Sequence, residues 1–346
     1  MAKLRVFFAT NRNHQPDNKL LVFGPNFNPD GVAALRFGYA SFDAAPPEPK
    51  LEEVFVYPDI KGEPDITKTG AGQFLNDLRT VMATGDRSDT LVFIHGFNVA
   101  FNGALQAGAH LAREVSVSGK AVNVVVFSWP SDGAAVPAMS YYSDREDARA
   151  SGPSVARAFL KLREFLIQLD PKDYCQRCLH LLTHSMGAYV LRQGLQALIA
   201  KDVDSLTRAF DQIILAAPDE DDDAFEVDTK LKLLPRLGRQ VTVYFNPNDK
   251  ALLISDVTKA NPDRLGSDGP RLVDLIPKKV VLVDCRAIAG HANPHIEHSY
   301  YINSPAMAQD IGAVLNGVLP EAIDNRDFFE RQRAYRIRME LGVTPT

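Results

Sequence analysis

The chain predicts a doubly wound α/β sheet, on three observations. Six apolar runs (residues 91–94, 122–127, 179–182, 213–217, 241–245 and 280–283) are continuous instead of alternating. Strands of that kind are buried on both faces, as in a parallel sheet covered by helices. Helical stretches fall between the runs, which is the βαβ rhythm of a doubly wound sheet. Polar, chemistry-bearing residues follow several of the runs, where such sheets place their sites.

The elements before the first run are less regular. Over the first ~85 residues, strand-like pieces (6–9, 35–39 and 54–57) alternate with Pro, Asn, Asp and Gly clusters. This region is expected as a β-rich N-terminal extension, residues 1–85, packed on a core of residues 86–320. Phe74, Leu75, Leu78, Val81 and Met82 share one face of a helix over 73–82. Val155, Phe159, Leu162, Leu166 and Leu169 mark a second helix, and Leu191, Leu195 and Leu198 a third. Ser143 to Glu146 has capping-box form and predicts a helix start there. Gly152-Pro153 should kink or split that helix. Another helix is expected from about Ser304. In the tail, residues 321–346, Arg331, Arg333, Arg336 and Arg338 mix with Phe328, Phe329, Tyr335 and Ile337, which predicts an amphipathic helix with a solvated basic face.

Composition narrows the function classes. The 346 residues hold 38 Lys+Arg against 43 Asp+Glu, a net charge of −5, with 45% hydrophobic residues. That is a globular mixture, and its mild acidity disfavours general nucleic-acid binding. Three cysteines are too few for a secreted disulfide scaffold. Polar Thr10 to Asn13 interrupts the N-terminal apolar run, and no run reaches the ~18 apolar residues of a spanning helix, so the expected location is the cytoplasm. Oligomeric state is not legible.

The strand ends carry the chemistry. After Leu182 comes Thr183-His184-Ser185-Met186-Gly187 and then a helix pattern. A serine on a tight strand-to-helix turn is a nucleophile elbow, with its hydroxyl held above the sheet. The usual leading glycine is Thr183 here. The plainer reading of Ser185 is a helix N-cap. Two further Ser-x-Gly matches, at Ser131 and Ser267, follow no strand and read as turns. After Ile94 comes His95-Gly96-Phe97-Asn98, a loop able to supply one oxyanion N–H from Phe97, the other coming from Met186. After Phe245 comes Asn246 to Lys250, with Asp249 as the expected triad acid. Asp219, after the run ending at Ala217, is the alternative acid, but it opens the acidic run 219–223, expected as a solvated loop edge. The last loop holds His291, His295 and His298. The order Ser, Asp, His is that of the α/β hydrolases.

Together the motifs at 93–98, 127–131 and 183–187 resemble a bacterial branch of the α/β-hydrolase superfamily whose function is not settled. The resemblance extends back to Phe8-Ala9-Thr10-Asn11-Arg12 and forward through Ala217-Pro218-Asp219, Asp249 to Leu252 and His298-Ser299-Tyr300, to about residue 316. It implies an α/β-hydrolase fold with helices on both sheet faces and a serine-hydrolase triad. It favours His298 as the base, because that residue precedes Tyr300-Tyr301 and the last core helix. His95 belongs to the oxyanion loop, and His184 is expected to point away from the chemistry.

The expected activity is therefore cleavage of a carboxylic ester or related acyl compound through an acyl-enzyme, esterase- or lipase-like, with no cofactor and a small-molecule acyl substrate. His95, Trp129, Tyr141 and Tyr142 are expected to line the substrate pocket. The alternative is a catalytically silent scaffold of the same fold that binds a ligand or protein partner. A metal site built on the three histidines is disfavoured, because Pro294 interrupts any shared helix face. Cys175 and Cys178 form a lone CxxC without a second pair, and Cys178 and Cys285 are expected to be buried. The glycines at 70 and 72 do not follow a strand, so a dinucleotide fingerprint fails.

Overall fold

The computed structural model describes residues 3–17, 22–45, 47–59, 62–63, 65–85, 89–131, 137–168, 175–249, 251–252, 263–288 and 298–338. His291 and His295 lie outside the described residues.

Eleven strands form one sheet. In chain order they are β1 (Lys3–Thr10), β2 (Arg36–Asp43), β3 (Lys50–Val56), β4 (Thr90–Ile94), β5 (Asn123–Ser128), β6 (Leu179–His184), β7 (Phe210–Ala216), β8 (Gly238–Phe245), β9 (Val280–Asp284), β10 (Arg326–Phe329) and β11 (Ala334–Ile337). Their spatial order is β10-β11-β9-β8-β7-β6-β4-β5-β1-β2-β3. Every pairing from β11 through β1 is parallel, and antiparallel pairs close both edges. The six apolar runs are the six strands β4 to β9, and Val124, Val126, Leu182, Ile213 and Val243 have no exposed surface. The expected parallel sheet thus stands on residues too apolar to face water on either side.

Helices are α1 (Gly70–Thr84), α2 (Phe101–Glu114), α3 (Pro137–Ala150), α4 (Gly152–Gln168), α5 (Gly187–Lys201), α6 (Tyr300–Asn303) and α7 (Pro305–Leu315). They enclose two apolar layers, one on each sheet face. One contains Phe7, Phe74, Phe127, Leu181 and Leu195. The other contains Phe8, Phe93, Leu105, Leu182 and Ile311. The neighbours Leu181 and Leu182 belong to opposite layers, as a period-2 strand requires. Gly152-Pro153 splits α3 from α4. Among the described residues no helix is long and apolar enough to cross a membrane.

The N-terminal strands extend the central sheet itself, because β1 pairs in parallel with β5 from Val6 opposite Val124 to Thr10 opposite Ser128. β2 and β3 then add an antiparallel meander outside β1.

Two expectations are corrected by these elements. The capping-box reading at Ser143 fails, because α3 already runs from Pro137 and the Asp144 carboxylate serves a distant loop. The basic tail is a β-hairpin, not a helix. Ile337 is fully buried, Arg333 turns the chain at φ 46°, and β11 pairs with β9. Arg336 donates to Asp284 at 3.1 Å, and buried Arg326 donates to Asp310 at 2.8 Å, so two of the arginines near the terminus serve ion pairs within the fold.

β4 and β6 are adjacent, yet the chain leaves β4 for β5 on one side and returns through β6 to β7, β8 and β9 on the other. Strand order therefore reverses between β4 and β6. A crevice forms at the carboxyl ends of strands at such a point, and here those ends are His95 and Ser185.

Candidate active site

Ser185 follows β6 directly with φ 51°, a left-handed backbone that residues with a side chain rarely adopt. Its N–H donates to Ala216 O at 3.0 Å, and its carbonyl accepts from Asp219 N at 3.1 Å, so β7 and its loop hold the turn on one flank. Gly187 closes the other flank. A Cβ there would meet Ile94 O at 2.5 Å and His95 O at 2.7 Å, so only glycine lets α5 start this close to β4. Thr183, in place of the usual glycine, is fully buried within β6. Strain of this kind persists only where the surroundings enforce it, and it collects at functional sites.

The loop after β4 lies directly against this turn. A Cβ on Gly96 would sit 3.0 Å from Ser185 Cβ. Phe97 follows, half-buried, its ring edge-on to Tyr141 at 5.6 Å between centroids. Among the described residues, neither the Phe97 N–H nor the Met186 N–H donates a hydrogen bond.

A brace that sequence reading missed fixes this loop. Asn98 is left-handed (φ 58°), and its N–H donates to Asp144 Oδ2 at 2.9 Å. Ser131 Oγ donates to the same oxygen at 2.5 Å and accepts from Val99 N at 3.0 Å. Fully buried Arg12 donates to Val99 O at 2.7 Å, Ser131 O at 3.1 Å and Ser128 Oγ at 2.9 Å. The only local signal was that Arg12 and Ser131 lie in stretches that carry the family resemblance. Asp144 gave none, being 46 residues from its partner.

Asp249 and His298 come together. His298 Nδ1 stands 2.8 Å from Asp249 Oδ2. Asp249 is buried, and its other oxygen accepts from Ala251 N at 3.0 Å. The turn beneath is closed by Asp249 N donating to Asn246 O at 3.0 Å and Asn248 N to Asn246 Oδ1 at 2.9 Å. That carboxylate selects the imidazole tautomer with hydrogen on Nδ1, leaving Nε2 as the acceptor.

His184 does not point away. Its Nε2 lies 3.0 Å from His298 O, and its ring stacks on Tyr301 at 4.5 Å. Burial, then the neighbouring His298, holds its pKa well below the usual histidine range, so it is neutral and donates through Nε2. It ties the backbone of His298 to the residue just before Ser185.

Asp219 is placed differently. Its Oδ2 accepts from Tyr141 OH at 2.7 Å, and Arg264 Nε stands 3.6 Å from Oδ1. The acidic run is not a solvated edge, since Asp219, Glu220 and Asp222 are buried. Glu220 pairs with Arg192 at 3.1 Å, and Asp221 with Lys230 at 2.7 Å and Arg264 at 2.5 Å. Buried carboxylates require such partners.

The pocket expectations change as well. Trp129 has no exposed surface and donates from Nε1 to His95 O at 2.9 Å. His95 is buried, stacked on Trp129 at 5.2 Å, and burial followed by Arg12 lowers its pKa to about 3. Both are loop packing and not a wall open to a ligand. Tyr141 is also buried, whereas Tyr142 is 55% exposed on the same helix. Cys285 is buried as expected, but Cys178 is exposed. No cluster of three or more metal-ligating side chains occurs among the described residues.

Over 222 residues the chain is 25% identical to the uncharacterized protein alr1448 of Nostoc sp., covering 56% of this chain and 51% of that protein, so it spans about half the length of that relative. It is also similar in structure to esterases of Rhizomucor miehei (13% identity, 83% of this chain and 82% of that one, TM-score 0.39). A Pyrobaculum calidifontis esterase matches at 13% identity over 83% of this chain and 82% of that one, with a TM-score of 0.33. An acylaminoacyl peptidase of Pyrococcus horikoshii matches at 13% identity over 85% of this chain and 49% of that one, with a TM-score of 0.34. A family model matches residues 71–315, well over half of the chain and six of the eight parallel-paired strands, and the chain belongs to that family, the alpha/beta hydrolases of unknown function (DUF900).

Proposed function

We propose that this chain is a serine hydrolase that cleaves a carboxylic ester or related acyl compound, with Ser185 as nucleophile, His298 as base and Asp249 as acid. One observation carries the reading. The His298–Asp249 pair is hydrogen-bonded at 2.8 Å and is tethered through His184 to the strained turn that bears Ser185.

The chemistry follows from that arrangement. His298 Nε2 takes the proton of the Ser185 hydroxyl as Oγ attacks the acyl carbon. Asp249 stabilises the imidazolium that forms. The N–H groups of Phe97 and Met186 receive the developing oxyanion, usually the largest electrostatic contribution in such sites. His298 then protonates the departing alcohol, and the acyl group remains on Ser185. Water attacks that ester with His298 again as base, releasing the acid and restoring Ser185. Ser185 Oγ makes no hydrogen bond to His298 among the described residues, and such bonds commonly tighten only with substrate bound. Free cysteines at 175, 178 and 285 suit a reducing compartment such as the cytoplasm.

A chain-length series of acyl 4-nitrophenyl esters tests the reading. Turnover that disappears in Ser185→Ala and persists under exhaustive chelation supports it. Turnover that disappears on chelation and returns with zinc contradicts it.

A further inference from the structure

An apolar cavity lies away from Ser185. Between α1, α4 and one face of the sheet is a cavity of about 120 Å³, lined by Phe37, Phe74, Phe127, Phe159 and other apolar side chains, with Lys161 as its one charged neighbour among the described residues. It shares Leu75, Leu78, Leu162, Leu179 and Phe210 with a wider cleft of about 430 Å³. Apolar cavities of this kind take apolar ligands.

The wider cleft lies at the amino-terminal ends of β6 and β7, where Cys178, Leu179 and Phe210 line it. Ser185 follows the opposite end of β6, six residues on, or roughly 20 Å away at the rise of a strand. The cleft is therefore distinct from the proposed catalytic site at Ser185.

Its lining is cationic. Arg79, Arg177 and Arg208 contribute to it, and the one carboxylate among the lining residues, Asp211, is held by Arg239 at 2.7 Å and 3.1 Å. Arg239 is thus the partner of Asp211, while Arg177 lies close enough to Asp89 to help lower that carboxyl's pKa, behind the opposing effect of burial and the hydrogen bonds from His180 and Cys178. Guanidinium groups beside an apolar channel match a ligand with a carboxylate head and a hydrocarbon tail. The narrow inner cavity favours one chain over the two of a phospholipid.

We propose that this cleft binds a free long-chain fatty carboxylate, with its tail among Leu75, Leu78 and Phe210 and its head at Arg177 and Arg208. The site does not depend on the hydrolase reading.

The test is titration of the full chain with cis-parinaric acid, followed by displacement with palmitate and with methyl palmitate. One saturable site per chain is expected. The double variant Arg177→Glu/Arg208→Glu should weaken palmitate at least tenfold and leave methyl palmitate within twofold. Ala158→Phe, which fills the inner cavity, should weaken both ligands. Circular dichroism checks that each variant folds, and the arginine pair supplies a surface test if Ala158→Phe does not. Ser185→Ala should bind as the native chain does, which separates this site from the catalytic one. Absence of saturable binding, native palmitate affinity in the folded arginine variant, or displacement of the probe by a phosphonate that reacts at Ser185 would overturn the proposal.

Discussion

Asp249 and Asp219 each stand just beyond a parallel strand, both buried, yet their carboxylates have different partners. Asp249 meets His298 at 2.8 Å and backbone N–H groups. Asp219 meets Tyr141 at 2.7 Å and faces Arg264, inside a cluster that also holds Arg192 and Lys230. One carboxylate is positioned to orient a base, and the other joins a wall of compensated charge beside the elbow. What sets Asp249 apart is the histidine that the loop after β9 returns to it.

The comparison is sharpest at Ser185, the proposed nucleophile. Ser185→Ala should lower kcat by ~10⁶ if the triad acts as a unit. The fold should persist, since alanine tolerates the turn about as well as serine does. Steady-state ester turnover beside circular dichroism checks this.

Exchanging the acids is the next largest effect. Asp249→Asn should cost ~10⁴ in kcat by favouring the wrong imidazole tautomer. Asp219→Asn should cost far less in kcat but lower the melting temperature, because it removes one of the two carboxylates, Asp219 and Asp221, that compensate buried Arg264. The reverse ranking would give the acid role to Asp219.

A smaller loss should follow at the brace. Asp144→Asn weakens the hold on Asn98 and lets the Phe97 N–H drift. Its cost in kcat should be about tenfold to a hundredfold, below the ~10²–10³ of removing an oxyanion donor outright. KM should change little, because the defect appears in the transition state. A matching rise in KM would assign Asp144 to substrate binding instead.

The parallel core was legible because its signal is local: six apolar runs became six strands, with Ser185, Asp249 and His298 at strand ends or in the loops that follow them. What failed depended on distant partners. The acidic run read as solvated because two of its cationic partners, Arg264 and Arg192, lie 43 and 28 residues from the carboxylates they meet. The tail read as a helix because aromatics and arginines at that spacing fit either period, and only β9 beside it decides for a strand. Trp129 and His95 read as pocket residues because their loops reach the site, although their rings pack beneath it.

Acid stability gives the most general test. His95 and His184 are both depressed by burial, the former to about 3. The unfolded chain then binds more protons than the folded one below pH ~6.5, so stability is complete above that pH and falls on acidification toward the folded values. For His95 the slope is about 1.4 kcal/mol per pH unit across that window, and His184 acts in the same direction. Urea unfolding between pH 7 and pH 4 should show this slope, and His95→Gln should flatten it.

The central claim is that Ser185 is an activated nucleophile. Its most direct measurement is fluorophosphonate labelling of the folded chain, with the adduct mapped by mass spectrometry. One adduct on the peptide holding Ser185, absent in Ser185→Ala and strongly slowed in Asp249→Asn, is the predicted result. A folded chain that takes no label, or takes it at another residue, would contradict the claim.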